Sequence, residues 1–453
     1  MASIDYHKLS SALSENGRLV TDPAGYEAYT HDATADTGVP GAIVLASNAN
    51  DVRATVLFCR KHNLAIVPRG AGTGLSGGCV PSEGALVLST EALDDIEIMP
   101  DERTAVCGPG VITRDLIDAA EAVGLTYAPD PASYTESTLG GNVAENAGGL
   151  RCVKYGVTRD YVVGLQAITT DGSTINTGWF TERPTFEFGE LLIGSEGTLA
   201  IITSIAVSLI KPIGRGTTIL AAFGEPSDAA RTVFALRRAG LVPTVMEFMD
   251  GDAINCSNAY EPTEGLHRAA ALLLFETDPR HHDMERLIES ICTDNRCTVL
   301  RAEPDPHRAE DLWRVRRNLS RAITDMAALR VSEDVAVPIS RFADLVAFVD
   351  QMNHSSDYRI NTFGHAGDGN LHVSFLSQHD TSRDRENIDS LVEILMRKTI
   401  ELGGTLTGEH GIGLAKRRLL PLEFDPPTLQ FMRRIKDVFD PTGIMNPDKI
   451  FPV

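Results

Sequence analysis

Cysteine is sparse and unpatterned in this 453-residue chain. The seven residues, Cys59, Cys79, Cys107, Cys152, Cys256, Cys292 and Cys297, are odd in number, and none form a Cys-x-x-Cys pair or the spacing of an iron–sulfur cluster or zinc knuckle. Reduced thiols in a cytoplasmic setting are expected. Positive charge is also in deficit: 41 Lys and Arg stand against 62 Asp and Glu, a formal net charge of −21. That balance repels a phosphate backbone and offers no basic stripe, which excludes nucleic acid as a partner. Small anions stay admissible, because a pocket needs only a local cluster of donors and cations. No apolar run reaches the roughly 18 residues of a membrane span, and the opening MASIDYHKLS lacks the features of a secretion or transit signal. Any membrane contact is expected to be peripheral. Low-complexity tracts are missing as well, so the composition is that of a globular enzyme.

The length suggests two or three domains at roughly 150 residues each. Residues 51–63 read as an amphipathic helix behind Asn50 as cap, followed by a strand at 64–68 that enters a glycine-rich loop. Short strands fill 84–112, Thr113 caps a helix that Gly124 stops, and further strands fall near 161–178, around an Asp171-Gly172 turn, and across 197–210. After Lys211-Pro212 the rhythm lengthens. Strands at 217–223, 243–249, 270–277 and 297–303 and helices at 227–239, 282–294 and 306–327 precede the strand RVSEDVAVP (330–338). A helix at 341–354, a strand pair around 358–377 and helices at 383–401 and 426–438 close the chain. A domain boundary at 212/213 follows, giving units over 1–212 and 213–453.

The loop PRGAGTGLSGG (68–78) contains Gly72-x-Gly74-x-x-Gly77. A dinucleotide fingerprint of that spelling must open a helix, and here Gly77-Gly78 and Pro81 oppose one. The overlapping Gly74-x-Ser76-x-Gly78 spells a nucleophile elbow but lacks the helix that motif needs as well. A loop this poor in side chains instead lets backbone N–H groups close around an anion. A second segment, PDPASYTESTLGGNVAENAGG (129–149), adds two glycine pairs, small hydroxyl residues, Asn142 and Asn146, and a third, GSEGTLAIIT (194–203), runs into a strand. Two such loops can wrap one extended diphosphate from both sides.

In this order the three loops resemble the FAD-binding half of the vanillyl-alcohol oxidase and p-cresol methylhydroxylase superfamily. The similarity is greatest to its branch of FAD-linked D-lactate, glycolate and D-2-hydroxyglutarate dehydrogenases, and it extends over nearly the whole chain. The resemblance implies an α+β, two-domain flavoprotein, with a p-cresol-methylhydroxylase-type FAD-binding domain and an α/β substrate or cap domain whose last stretch returns to the flavin. It assigns FAD contacts to Arg69, Gly70, Ala71, Gly72, Thr73, Gly74, Leu75 and Ser76, and to Pro131, Ser137, Thr138, Gly140, Gly141, Asn142, Asn146 and Gly148. Gly197 and Ile202 of the third loop join them, although Ala200 stands where the family has glycine, and so does Asn446 of FDPTGIMNPDKIF (439–451). Some members link FAD covalently through a His where Thr73 stands, so FAD is expected to bind noncovalently.

In the second half, GHAGDGNLHVSF (364–375) sets His365 and His372 seven residues apart across a glycine-rich turn, and GEHGIG (408–413) adds Glu409 and His410. Two imidazoles and a carboxylate suit one divalent ion with open positions, although each His could instead bond the carboxylate of Asp368 or Glu409. In the resembling dehydrogenases the matching His, His and Glu hold zinc or manganese, and the matching next His lies at substrate and flavin. A 2-hydroxy acid loses its hydroxyl proton as hydride leaves C2, which a cation and the base His410 would both assist. A substrate carboxylate needs a cation, and DLWRVRRN (311–318) offers Arg314, Arg316 and Arg317. The family's Trp-x-x-Arg points to Arg316.

The expected reaction is oxidation of a small D-2-hydroxy acid, D-lactate or glycolate before D-2-hydroxyglutarate. Members that take the dicarboxylate carry a Lys where Ser332 stands, followed here by Glu333 and Asp334. Electrons would pass to a separate acceptor, a quinone, cytochrome or partner subunit, and a homodimer is compatible. Two other classes stay open: a flavin-free metallohydrolase using His365, His372 and Glu409, and a non-catalytic flavoprotein subunit.

Overall fold

Residues 4–182, 188–262, 266 and 269–452 are described by the computed structural model. They sort into two units, one of Met1–Gly148, Val157–Ile213 and Glu409–Val453, the other of Gly149–Gly156 and Gly214–Gly408. Glu187, just before the third loop, lies outside the described residues.

The first unit holds two sheets. In the smaller, the strands run in the order Arg18–Val20, Ala42–Leu45, Leu86–Ser89, Ile66–Arg69. The last three pair in parallel, which requires crossovers, and the Ala49–His62 helix supplies one. Its cap is Asn48, whose side chain accepts from the N–H groups of Asn50 and Asp51, two residues before the cap expected. Val52, Val56 and Cys59 on its inner face pack on Val44, Ile66 and Leu88. The five-stranded sheet is antiparallel throughout and includes the hairpin Val162–Ile168 and Thr174–Asn176, turned at Gly172 with φ +81°. A short helix, Leu139–Glu145, stands inside the second glycine-rich segment, where the glycines predict only loop. Thr138 caps it by accepting from Gly141 N–H.

The second unit is built on seven strands in the order Cys297–Glu303, Thr218–Phe223, Ala271–Glu276, Val245–Asp250, Arg359–His365, Asn370–Ser377, Leu329–Ala336. Strands and helices alternate along the chain, yet every pairing in this sheet is antiparallel. One face packs Met249, Leu272, Leu274, Phe363 and Leu376 against Ala253, Ile254, Leu312, Val315, Leu319 and Ile323 of three helices, Gly251–Tyr260, Pro306–Arg317 and Leu319–Asp325. The helix expected over 306–327 is thus two helices meeting at Asn318. Residues 149–156, expected with the FAD-binding half, belong to this unit. Val153 packs against Gly367 closely enough that a Cβ there would lie 2.2 Å from it, and Lys154 pairs with Asp278.

Candidate functional site

A cavity of about 250 Å³ opens in the first unit, lined by residues of all three glycine-rich segments. The Ile66–Arg69 strand delivers the first glycine-rich loop to its wall, and Thr138 of the second loop faces it. The loops touch: a Cβ on Gly70 would stand 2.1 Å from Thr138 Oγ1, whereas Gly74 faces open space. Arg69, Gly70, Ala71, Gly72, Thr73, Gly74, Leu75, Pro131, Thr138, Gly140, Gly141, Asn142, Gly148, Gly197 and Ile202 all line the cavity, as do Glu409 and His410.

Four expected contact residues do not line it and serve as supports instead. Ser137 gives its carbonyl to Thr113 N–H, and Asn146, left-handed at φ 54°, accepts from Arg159 N–H. The Ser76 carbonyl accepts from the N–H groups of Leu414 and Ala415. Asn446 is buried and donates to the carbonyls of Gly78 (2.9 Å) and Glu196 (2.8 Å). Arg69, though lining, is braced, its Nη1 donating to the His31 carbonyl at 2.6 Å while its guanidinium lies over the Tyr29 ring.

Acids line the cavity too. Glu196 accepts from Ile412 N–H (2.8 Å) and Gly413 N–H (2.6 Å), and burial pushes its carboxyl up to about 7 against those donors. Burial, reinforced by Glu196 and Asp32, raises Glu145 well above the ordinary range. The floor therefore carries less negative charge near neutrality than its composition implies.

The second unit gathers a polar array on one sheet face. Register sets Glu247 opposite His365, and Phe363 opposite His372, which lies opposite Asp334. The Nδ1 of His365 stands 2.6 Å from Glu247 Oε1, while Arg316 Nε donates to Glu247 Oε2 at 2.7 Å. The Arg316 guanidinium lies 4.9 Å above the Phe363 ring, and the two histidine rings meet edge to face with centroids 5.3 Å apart. Burial would raise Glu247, but His365 and Arg316 outweigh it and hold the carboxylate below its ordinary range. Asp334, fully buried, accepts from Thr407 Oγ1 and Gly408 N–H and so fixes the chain just before Glu409. Arg314 and Arg317 are spent on exposed pairs with Glu261, Asp311 and Glu310, as a solvated helix face implies.

Residues 215–450 match the family model "FAD linked oxidases, C-terminal domain", and residues 40–178 match "FAD binding domain". The chain belongs to the FAD-linked oxidases. A protein of Bacillus subtilis named glycolate oxidase subunit GlcD is 37% identical over 94% of this chain and 93% of its own length. A D-lactate dehydrogenase of Anaerostipes hadrus is 32% identical over 99% of both. In fold, the FAD-linked oxidase superposes on p-cresol methylhydroxylase solved with substrate bound, with a TM-score of 0.79 over 97% of this chain and 95% of that one at 14% identity.

Glu247 escaped the sequence reading. Its signal was there, an acid amid apolar neighbours in VMEFMD at 245–250, since a buried carboxylate is rare without a partner. Nothing in the sequence showed that the partners are His365 and Arg316, 118 and 69 residues away. Glu145 and Glu196 were missed because the motif containing each reads as a backbone device. No described helix is long and apolar enough to cross a membrane.

Proposed function

We propose that this FAD-linked oxidase oxidises a D-2-hydroxy acid, D-lactate or glycolate among them, to the 2-oxo acid. The carrying observation is the buried Arg316–Glu247–His365 array beside His372, a cation and two imidazoles fixed on one sheet face. Arg316 binds the substrate carboxylate, and Glu247 holds it in place. His410 accepts the hydroxyl proton as the C2–H bond breaks. The glycine-rich loops, with Thr138 and Asn142, hold FAD, and Thr73 gives it no covalent anchor. Bound FAD supplies the acceptor for the C2 hydride.

His365, His372 and Glu409 make the donor set of a zinc or manganese ion, two imidazoles and one carboxylate. The contact of His365 Nδ1 with Glu247 supports this, because it assigns the lone pair to Nε2 and orients the ring. Such an ion would polarise the substrate oxygen. Electrons then leave to a separate acceptor, in a cytoplasmic protein or one that meets the membrane peripherally.

The test is anaerobic titration of the purified yellow protein with paired D- and L-2-hydroxy acids. Bleaching by the D forms is expected, and a flavin that no 2-hydroxy acid bleaches would overturn the proposal. A colourless protein with hydrolase activity would favour the metallohydrolase reading. Prolonged chelation should remove most turnover while the flavin spectrum persists.

A further inference from the structure

His410 stands in the cavity wall, and the chain that follows it is held by a carboxylate of the third glycine-rich segment. Glu196 Oε1 accepts from Ile412 N–H at 2.8 Å and Oε2 from Gly413 N–H at 2.6 Å, a two-pronged grip on successive peptides. Successive N–H groups in a turn make a concave seat for an anion. Gly411 turns with φ +90°, and a Cβ there would collide with Glu145 Oε2 and stand 3.1 Å from Glu196 Oε1. Glycine lets the backbone approach both carboxylates at once. Beyond the grip, the N–H groups of Leu414 and Ala415 donate to the Ser76 carbonyl, and Ile450 N–H donates to that of Gly413. The loop after His410 therefore rests on the first and third glycine-rich segments together.

Glu196 holds this place at a conformational cost. Its backbone is left-handed at φ +51°, as are those of Gly194 at +74° and Gly197 at +65°. Glycine takes that conformation freely, and glutamate does not. Such strain persists where the surroundings over-determine it, and it clusters at working sites. Burial adds to the cost, since a glutamate only 6% exposed has lost nearly all its water. The backbone of the residue is anchored on both sides: its N–H donates to the Ala144 carbonyl at 2.9 Å, and its carbonyl accepts from Asn446 Nδ2 at 2.8 Å. A strained, buried and anchored acid thus gives both its oxygens to the peptides next to His410.

We infer that Glu196 is the positioning residue of His410, its carboxylate fixing residues 411–413 so that the imidazole keeps one place and one orientation at the cavity wall. This rests on the D-2-hydroxy acid reading above, in which His410 takes the hydroxyl proton. A general base works only within about 2.6–3.2 Å of the proton it removes, and a misplacement of about 1 Å can cost on the order of 100-fold in rate. Loops give such precision only when something rigid supports them. The support here comes from the segment that leads into the Ile201–Ser208 strand. Glu196 acts through the backbone of the loop rather than on the reacting atoms.

The test compares Glu196→Gln with wild type, alone and in a His410→Ala background, all as holoproteins. The amide keeps the size and one acceptor but turns an NH2 toward the second peptide N–H. FAD content and the thermal transition should stay near wild type, since the Ser76 and Ile450 contacts remain. Anaerobic bleaching by D-lactate or glycolate, whichever reacts faster, should slow at least tenfold, with kcat falling and KM little changed. In the His410→Ala background the same substitution should cost less than twofold, because the group it positions is already gone. Hydrogen exchange of the peptide spanning 408–416 should quicken while the rest of the chain is unchanged, a readout independent of turnover. Glu196→Gly, which suits the left-handed backbone, is the second variant if the amide disturbs folding, with the same split expected. An equal loss in both backgrounds would mean that Glu196 acts elsewhere, and loss of FAD in step with rate would assign it to cofactor binding. Either result overturns the inference, as does bleaching at the wild-type rate in Glu196→Gln or in His410→Ala, and each leaves the D-2-hydroxy acid reading standing. If no 2-hydroxy acid bleaches the wild-type flavin, the functional reading itself fails and takes this role of Glu196 with it.

Discussion

Glu247 is the residue on which the second unit's polar face turns, because one carboxylate serves two groups of opposite task. It orients an imidazole through Oε1 and a guanidinium through Oε2. Replacement by Ala would strand Arg316 and His365 without their shared acid, and breaking a buried pair from one side costs roughly 3–5 kcal/mol. Glu247→Gln keeps the shape and tests the chemistry. With the charge gone and the His365 tautomer no longer fixed, zinc affinity should fall about 10–100-fold, measured as metal content after dialysis against graded chelator. Retention equal to wild type would remove Glu247 from any metal role. Thr73 carries a second residue-scale prediction: acid precipitation should release the flavin into the supernatant, and flavin kept by the pellet would contradict a noncovalent link. The first glycine-rich loop was legible in the sequence because its glycines lie within one short stretch. Glu247 was not, because its meaning depends on pairings between strands far apart in the chain.

At the scale of elements, long periodic segments read well, and short polar or glycine-rich ones did not. The helices Pro226–Arg238, Met284–Asp294 and Ser382–Glu401 and the strand pair Arg359–His365 and Asn370–Ser377 fall within a few residues of expectation. Among the described helices longer than four residues, two were missed, Leu139–Glu145 and Gly251–Tyr260. The first has two glycines in its first turn and persists through tertiary support, Thr138 as cap and Asn142 Nδ2 donating to Thr113 Oγ1 at 2.6 Å. The second, GDAINCSNAY, has weak apolar periodicity and depends on Asp250. That carboxylate accepts from Ala253 N–H as cap and from the N–H and hydroxyl of Thr362 on the neighbouring strand. Asp250→Ala should cost about 1–2 kcal/mol, a cap plus a stranded buried donor. Burial pushes the Asp250 carboxyl up to about 7 from an ordinary 3.8, so the folded protein favours its protonated form. Its contribution to stability is therefore full below the ordinary value and is lost as pH rises through about 7. Asp250→Asn, uncharged at every pH, should flatten the fall in urea midpoint between pH 5 and pH 8. A fall as steep as in wild type would assign the pH dependence to other groups.

At the scale of the whole chain, the first unit is assembled from three separated segments, and the last of them, Glu409–Val453, completes its smaller sheet. Ile66 N–H donates to the Ile444 carbonyl, and Asn446 N–H donates back to the Ile66 carbonyl, both at 2.7 Å, which adds a parallel bridge at Met445 beside the strand that leads into the first glycine-rich loop. Ile444 and Met445 are buried in that sheet's core, each stabilising by roughly 1.5–3 kcal/mol. Lys449 Nζ holds the Val80 carbonyl at 2.8 Å, and Asn446 holds those of Gly78 and Glu196, two residues of the cavity wall. The stretch from Ile444 to Lys449 thus braces the cavity wall from behind, while Glu409 and His410 at the start of the same segment line the cavity itself. A chain ending at Phe424 loses the buried pair and all of these bonds, and it should purify without flavin, with a thermal transition lower than that of the full chain. Asn446→Ala is the finer probe. It leaves the carbonyls of Gly78 and Glu196 without their amide donor but spares Met445, so FAD affinity should fall about tenfold or more, read by fluorescence of released flavin on dilution, with a smaller shift in the melting temperature of the apoprotein. Equal loss in both measurements would make Asn446 a packing residue only, and full flavin retention by the truncated chain would show that the cavity stands without its third segment.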